Sequence, residues 1–233
     1  MPKIVVLSGA GVSAESGIAT FRDSGGLWEG YDIESVATPE GWRKDYKLVL
    51  KFYGERLKNS RSAKPNQAHH IIASLEEYFE VVVITQNVDD LHERAGSSRV
   101  MHLHGQLNQA RSTFDESIIV DIPEGKTIQP GDKCPRGSQL RPHIVWFGEA
   151  VPMIEKAAVE CLSADIFIVV GTSMVVYPAA GLIDYVSASA LKFVVDLKMP
   201  EIAMYHNMIF FAEKASKGME LVKDRLLQDY VML

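Results

Sequence analysis

Three stretches of this chain, Ser8 to Ser13, Gln86 to Asp90 and Gly171 to Ser173, set hydroxyls, amides or carboxylates directly after a short apolar run. Side chains of these types reach ribose and phosphate oxygens, so three such clusters at one edge of a sheet would suit a dinucleotide. The first cluster holds Gly9, Ala10 and Gly11, and glycines at a strand-to-helix turn let the main chain approach a pyrophosphate. An ordinary turn uses the same Gly-x-Gly, and Asp89 or Ser173 could simply cap helices. His104 is a candidate general base, because imidazole titrates near neutrality. Its rival His102 stands two residues earlier. Tyr53 and Arg56, three apart, share a helix face, where a guanidinium fork could take a carboxylate or could merely be solvated beside a half-buried tyrosine.

The elements that would position these groups alternate between strand and helix. Apolar runs at Ile4–Leu7, Val81–Thr85, Val100–Leu103, Ile166–Val170 and Lys192–Val195 read as buried strands, with Ile209 and Phe210 as a last edge. Helical spacing covers Asn66–Phe79, Met153–Leu162, Ala179–Ala188 and Lys214–Leu227, and a short helix follows Gly11. Strands alternating with helices predict an α/β fold with a doubly wound parallel sheet. Residues 31–65 read as a helical insertion, with Leu48, Phe52, Tyr53, Arg56 and Leu57 at steps of three and four. From Gln106 to Arg141 the pattern weakens into glycine- and proline-rich chain in which only Ile118–Ile122 reads as strand. These two segments, 31–65 and 106–142, form an expected small lobe on a core of 1–30, 66–105 and 143–233 within one domain of 1–233.

Composition excludes several alternatives. With 233 residues, 47% of them hydrophobic, the chain can bury a proper core. A net charge of -6 supplies no basic surface for nucleic acid. The longest apolar runs are too short to span a bilayer, and glycines with Glu15 interrupt any leader-like start. Two cysteines, Cys134 and Cys161, make no disulfide framework, so a reducing, cytoplasmic setting is expected, and Cys161 reads as a small core residue.

The stretch Gly9 to Trp28 matches the pattern GAGxSxxxGIxxFRxxxGLW and so resembles the sirtuins, NAD-dependent protein deacylases with a Rossmann-like core. TQNVD at Thr85–Asp89, His104-Gly105, VWFGE at Val145–Glu149 and GTS at Gly171–Ser173 extend the resemblance along nearly the whole chain. It implies NAD as cofactor, acylated lysine side chains of proteins as substrate, and His104 and Asn87 as the catalytic residues. Gly9, Ala10, Gly11, Ser13, Phe21, Arg22, Gln86, Asn87, Asp89, Gly171, Thr172, Ser173 and Asp196 are implied to hold the cofactor. Among them Asn87 and Asp89 would line the nicotinamide pocket, Gln86 would meet its ribose, and Asp23 would steady the loop with Arg22. Asp196 stands where the family usually has asparagine, and its carboxylate could still accept a ribose hydroxyl. By the same resemblance the acyl oxygen attacks the ribose carbon bearing nicotinamide, His104 takes a proton from a ribose hydroxyl, and water finally frees the lysine and an acylated ADP-ribose. His143 to Glu149 resembles the substrate strand, with peptide pairing by β-augmentation and lysine beside Val145, Phe147 and Gly148. Tyr53 and Arg56, with Ala37 upstream, match the class III pattern for succinyl, malonyl or glutaryl groups.

One part departs from the family. Sirtuins commonly carry two C-x-x-C pairs for zinc, which here fall at Ser112 and Asp115 and at Cys134 and Gly137, so only Cys134 remains. A structural zinc site needs four ligands, so no zinc or other metal is expected and apolar contacts from Ile118, Ile119, Val120 and Ile122 are left to hold the lobe. The expected activity is removal of succinyl or malonyl, and more weakly acetyl, by a monomer that binds neither nucleic acid nor membrane. Its rivals are a protein ADP-ribosyltransferase using the same pocket and a non-catalytic NAD or ADP-ribose sensor.

Overall fold

In the computed structural model, residues 1–20, 27–28, 30–200, 202–203 and 205–231 are described. The expected cofactor residues Phe21 and Arg22, and Asp23 beside them, lie outside these described residues. The first half of the chain runs β1 (Lys3–Ser8), β2 (Leu27–Trp28), β3 (Tyr31–Asp32), α1 (Ile33–Val36), α2 (Pro39–Ser62), α3 (Gln67–Ser74), β4 (Glu80–Thr85), α4 (Leu91–Ala95) and β5 (Val100–His102). It continues through β6 (Gly105–Ser112), β7 (Ile119–Asp121), β8 (Leu140–Ile144), α5 (Ile154–Leu162), β9 (Ile166–Val170), β10 (Leu191–Val195), β11 (Met208–Phe211) and α6 (Ala215–Tyr230).

Six strands form one parallel sheet in the order β11-β10-β9-β1-β4-β5. The chain moves from β1 to β4 and β5, then returns to β9 on the other side of β1. The order therefore reverses between β1 and β9, where Ser8 lies opposite Val170, and such a switch point opens a crevice at the carboxyl ends of the strands. Alternate residues face opposite layers. Ile4, Val6, Val81, Val83, Ile166 and Ile168 pack on α3 and α6 through Ile72, Leu75, Met219 and Val222. Val5, Leu7, Val82, Ile84, Phe167 and Val169 pack on the other side with Ala157, Cys161, Leu182 and Ile183. Cys161 is thus a core residue, and burial pushes its thiol up to about 12.

The second layer system is the lobe. Thr38 caps α2 by accepting the Gly41 amide, and Pro39 opens the helix at the position where its missing N–H costs nothing. At Asp45 the helix kinks, and the Asp45 carboxylate restarts it by accepting the Leu48 amide at 3.0 Å. The restarted half buries Val49, Phe52, Tyr53, Arg56 and Leu57 against Leu107 and Ile144 of the antiparallel sheet β7-β6-β8 and against Trp146 just beyond it.

Several expectations need correction. The stretch read as irregular contains β6, whose polar GQLNQARS carries no β-branched signal and gains its strand form by pairing with β8 around a bulge between Gln106 and Ala110. Ile118–Ile122 shortens to β7, and Ile119 is exposed. The helices expected after Gly11 and over Ala179–Ala188 are 3-10 segments, Ala10–Ser16 and Ala179–Tyr185. Asn66–Phe79 divides into α3 and a 3-10 turn, and α4 is too short to leave a periodic trace. The lobe is held by more than the isoleucines named above. Val120 and Ile122 pack with Leu50, Ala110 and Ile128, while Ser112 Oγ meets Ser138 Oγ at 2.7 Å and Cys134 Sγ meets Ser138 Oγ at 3.1 Å. On the rim Arg136 donates to Asp115 at 2.7 Å. Among the described residues no group of three or more His, Cys, Asp or Glu could hold a metal ion, and no helix is long and apolar enough to cross a membrane.

Candidate active site

The switch-point crevice is one cavity of about 750 Å³ that reaches from the strand ends to the lobe. At its floor the chain after β1 folds tightly against the end of β9. A Cβ on Gly9 would lie 2.6 Å from Thr172 Cβ, and one on Gly11 would lie 2.7 Å from Gly171 Cα. Gly171, at φ +63, would in turn collide with the backbone of Gly11 and Val12. The three glycines therefore let two backbones touch. This corrects one detail of the expected cradle: the amides of Gly9 and Gly11 donate to Val170 O and Gly171 O at 3.1 and 2.8 Å. Val12 N bonds Gly9 O, which leaves Ala10, of these four, with no backbone acceptor among the described residues. Asn66, just before α3, fastens the turn from behind by donating Nδ2 to Val12 O at 2.7 Å and to Ser16 Oγ at 3.0 Å.

The expected polar residues meet here. Asn87 Nδ2 donates to Ser13 Oγ at 3.1 Å, and Ser13 Oγ donates to Asp89 Oδ2 at 3.1 Å. Asp89 also accepts the amide of Leu91, the first residue of α4, and lines the cavity. Burial raises its carboxyl above the ordinary value against the opposing pull of those two hydrogen bonds. Gln86 Nε2 donates to Thr172 Oγ1 at 3.0 Å and bridges the ends of β4 and β9. Gly9, Ala10, Gly11, Ser13, Gln86, Asn87, Asp89, Gly171, Thr172, Ser173 and Asp196 all line the cavity, as do Ala37, Tyr53, Arg56, His104, Val145 and Phe147.

His104 follows β5, and its Nδ1 lies 3.1 Å from Gln86 O. A carbonyl oxygen only accepts, so Nδ1 carries the proton and neutral His104 keeps a lone pair on Nε2. Burial holds its pKa below the ordinary value, only partly opposed by the Gln86 bond, so the neutral base dominates near neutrality. Gly105, at φ +79, is required next to it because a Cβ there would strike the carbonyl of His143. The rival His102 points away, with Nδ1 on Asn87 O at 3.0 Å and Nε2 on Glu93 Oε1 at 2.7 Å. Burial would lower its pKa, but the Glu93 bond and charge outweigh that and raise it.

The substrate segment differs from the expected strand. β8 stops at Ile144, and the next amides are spent within the protein: Val145 N on His104 O, Phe147 N on Ala37 O, Trp146 N on Glu149 Oε2 and Glu149 N on Trp146 O. Gly148, expected at the substrate, takes φ +86 in this turn and is not among the cavity-lining residues.

Sequence reasoning missed what supports the site. His92 Nε2 reaches Ser8 Oγ at 2.9 Å, Ser8 Oγ donates to Thr85 Oγ1 at 2.9 Å, and Thr85 Oγ1 accepts the Asn87 amide at 3.0 Å. That buried chain fixes the Asn87 loop from below. Arg111 and Arg141 grip Glu149 at 3.0 and 2.7 Å, and the Arg141 guanidinium lies 3.3 Å from the Trp146 ring centroid. Only the sequence adjacency of Arg141 to a VWFGE segment could have hinted at it.

Comparison with known proteins agrees with this geometry. The chain is 49% identical over 231 residues to an NAD-dependent protein deacylase of Bacteroides thetaiotaomicron, covering 97% of this chain and 99% of that one. It is 46% identical over 228 residues to an NAD-dependent protein deacylase of Helicobacter pylori, covering 98% and 99%. A crystal structure of a Sir2 homologue in complex with NAD superposes with a TM-score of 0.88 at 39% identity, covering 98% of this chain and 90% of that one. A mutant Sir2 homologue bound to ADP ribose gives 0.90 at 38% identity, covering 99% and 94%. The family model described as Sir2 family matches residues 9–178, and with that match the chain belongs to the Sir2 family.

Proposed function

We propose that this protein is an NAD-dependent protein-lysine deacylase that prefers short acidic acyl groups, succinyl or malonyl, over acetyl. The observation that carries this reading is the continuity of the cavity, in which Ala37, Tyr53 and Arg56 share one space with His104, Asn87 and the glycine turn.

The residues suit the cofactor. A crevice of about 750 Å³ at a switch point, with glycine-only packing at its floor and hydroxyl, amide and carboxylate groups on three strand ends, has the size and chemistry for a dinucleotide. When bound, NAD supplies a ribose carbon whose bond to nicotinamide breaks as the acyl oxygen approaches. Gln86 and Asp196 would hold ribose hydroxyls, and Ala10 offers an amide to the phosphates. Asn87 spends its NH₂ on Ser13, so its carbonyl oxygen remains to accept from a carboxamide. His104 accepts a hydroxyl proton at Nε2, while Nδ1 stays anchored on Gln86 O and keeps the ring aimed. Val145 and Phe147 would flank the lysine side chain. At the lobe end Arg56 offers a fixed cation and Tyr53 a neutral hydroxyl to an acyl carboxylate. The reading keeps the expected cytoplasmic monomer, in which the free thiols of Cys134 and Cys161 stay reduced.

The test is mass spectrometry of one peptide carrying acetyl-lysine or succinyl-lysine, incubated with NAD and wild type, Arg56→Met or His104→Ala. Succinyl loss that requires NAD and His104, and falls more than about tenfold in Arg56→Met while acetyl loss does not, is expected. Acetyl removal indifferent to Arg56 would discard the acidic preference, and NAD binding without turnover of either peptide would discard the deacylase.

A further inference from the structure

Tyr53 is buried, and its Oη accepts the indole N–H of Trp146 at 3.1 Å. An indole nitrogen can only donate, so the phenol proton is not used in that bond. Burial pushes the phenol far above its ordinary value, against the charge of Arg56, so Tyr53 remains a neutral donor near neutrality. Its hydroxyl is therefore polarised: one lone pair faces Trp146 and the proton is left for another acceptor in the cavity that Arg56 also lines.

Trp146 is itself locked in place. Its amide donates to Glu149 Oε2 at 2.8 Å, its ring packs 5.7 Å from Trp42, and the Arg141 guanidinium covers one face. Arg141 is in turn fixed by Glu149 and by Ile144 O at 3.0 Å. A cation on the indole face draws electron density from the ring and strengthens N–H as a donor.

We infer that Trp146 is a specificity-positioning residue: its N–H orients the Tyr53 hydroxyl so that the phenol proton meets an acidic acyl group entering beside Arg56. This rests on the acidic-acyl reading given above. An acetyl group presents no carboxylate to that proton, so loss of the Trp146 N–H lowers discrimination rather than turnover in general.

The experiment measures KM and kcat for succinyl and acetyl peptides in wild type, Trp146→Phe, Tyr53→Phe and the double variant. The expected result is that Trp146→Phe lowers the succinyl-to-acetyl ratio of kcat/KM about fivefold, through succinyl KM, as fits partial loss of one hydrogen bond to a charged group. In the Tyr53→Phe background the same change should lose its effect, because the hydroxyl it acts through is gone. An unchanged ratio, or an undiminished effect without the hydroxyl, overturns the inference. Should Trp146→Phe fail to fold, benzothienylalanine in place of Trp146 keeps the ring shape and removes the N–H, and the same ratio decides. Wild type that prefers succinyl through Arg56, with no role for Trp146, refutes this inference alone; wild type without a succinyl preference refutes both.

Discussion

Lowering the pH should destabilise this protein through His69, and the size of the effect follows from its surroundings. His69 is completely buried in the first turn of α3, and its Nδ1 accepts the Asn66 amide at 3.3 Å as half of a capping box. Nε2 meets no partner among the described residues, and the ring of His92 stands edge-on at 4.9 Å. A second proton would have to enter at Nδ1, which breaks the cap bond and buries a charge in apolar surroundings. Burial, with a smaller push from His70, accordingly lowers the pKa from 6.5 to about 4. Between those values the unfolded chain binds a proton that the folded chain refuses, so stability rises with pH across the window. The contribution is complete above 6.5 and is lost as the pH falls toward about 4. At about 1.4 kcal/mol per pH unit, the shift is worth roughly 3 kcal/mol. Urea unfolding of wild type and His69→Gln at constant ionic strength, from about pH 7.5 down to about pH 4.5, would measure it. Glutamine at this position can still accept the Asn66 amide but cannot titrate. His102, raised by Glu93 against burial, is common to both proteins and cancels in the difference, whereas His92, lowered by burial and then by the charge of His69, is eased by the substitution and adds to the difference in the same sense. Wild type should lose roughly 2 to 3 kcal/mol more than the variant over that range, and parallel curves would refute the argument.

His104→Ala should reduce kcat/KM by about 10² to 10⁴ while calorimetry still detects NAD binding, and the acid limb of the wild-type profile should fall below the ordinary imidazole value because burial lowers the pKa. Gly171→Ala forces a side chain into a left-handed backbone pressed on Gly11 and Val12, so NAD affinity should drop more than about tenfold, and an unchanged Kd would refute the role given to this contact. Because Ser138 Oγ bonds both Ser112 Oγ and Cys134 Sγ, two of the four positions at which the resemblance implies zinc ligands, purified protein should contain less than about one-tenth of a zinc per chain and keep its Tm in chelator, whereas stoichiometric zinc by mass spectrometry would overturn the reading.

The parallel sheet was legible because its strands are continuous apolar runs ending in glycine or polar residues, and periodicity detects such runs. β6 was not, since Gln106, Asn108 and Gln109 look like loop residues until β8 supplies the hydrogen-bond partners. The 3-10 segments Ala10–Ser16 and Ala179–Tyr185 share the spacing of short α-helices, so only the packing decides between them. In the site, the residues that touch the cavity stood in recognisable local motifs, whereas the pairings that orient them did not. His92 reaches Ser8 across 84 positions and Trp146 reaches Tyr53 across 93, and no local pattern encodes a contact of that range. The glycine turn shows the same limit: Gly9 and Gly11 were visible, but their amides are consumed by β9, a strand more than 150 residues later in the chain.

Beside the Tyr53–Arg56 end of the cavity the lobe carries a buried clasp of two sheet arginines. Arg111 on β6 and Arg141 on β8 converge on the single carboxylate of Glu149, and both donate Nη2 to Ile144 O. His143 beside them is kept neutral by burial and then by those two cations, so Glu149 alone balances the pair on the buried side, with Glu116 at 3.8 Å on the exposed side. Burial would raise the Glu149 carboxyl, but the Arg141 bond and the charges of both arginines outweigh it and hold it low. Glu149→Gln would leave two buried guanidiniums facing a neutral amide, at a cost of roughly 3 to 5 kcal/mol, and would also loosen the Trp146 amide. Asp115→Asn breaks a pair on the rim of the same sheet, where solvent already screens the charges, and should change the unfolding midpoint little. Thermal unfolding of both variants separates two accounts of the lobe. A large loss in Glu149→Gln alone places its stability at the seam with the cavity rather than at the tip around Asp115. Equally small losses would instead place that stability in the apolar contacts of Leu50, Ala110 and Ile128, and the arginine clasp would then orient the Trp146 turn without supporting the fold.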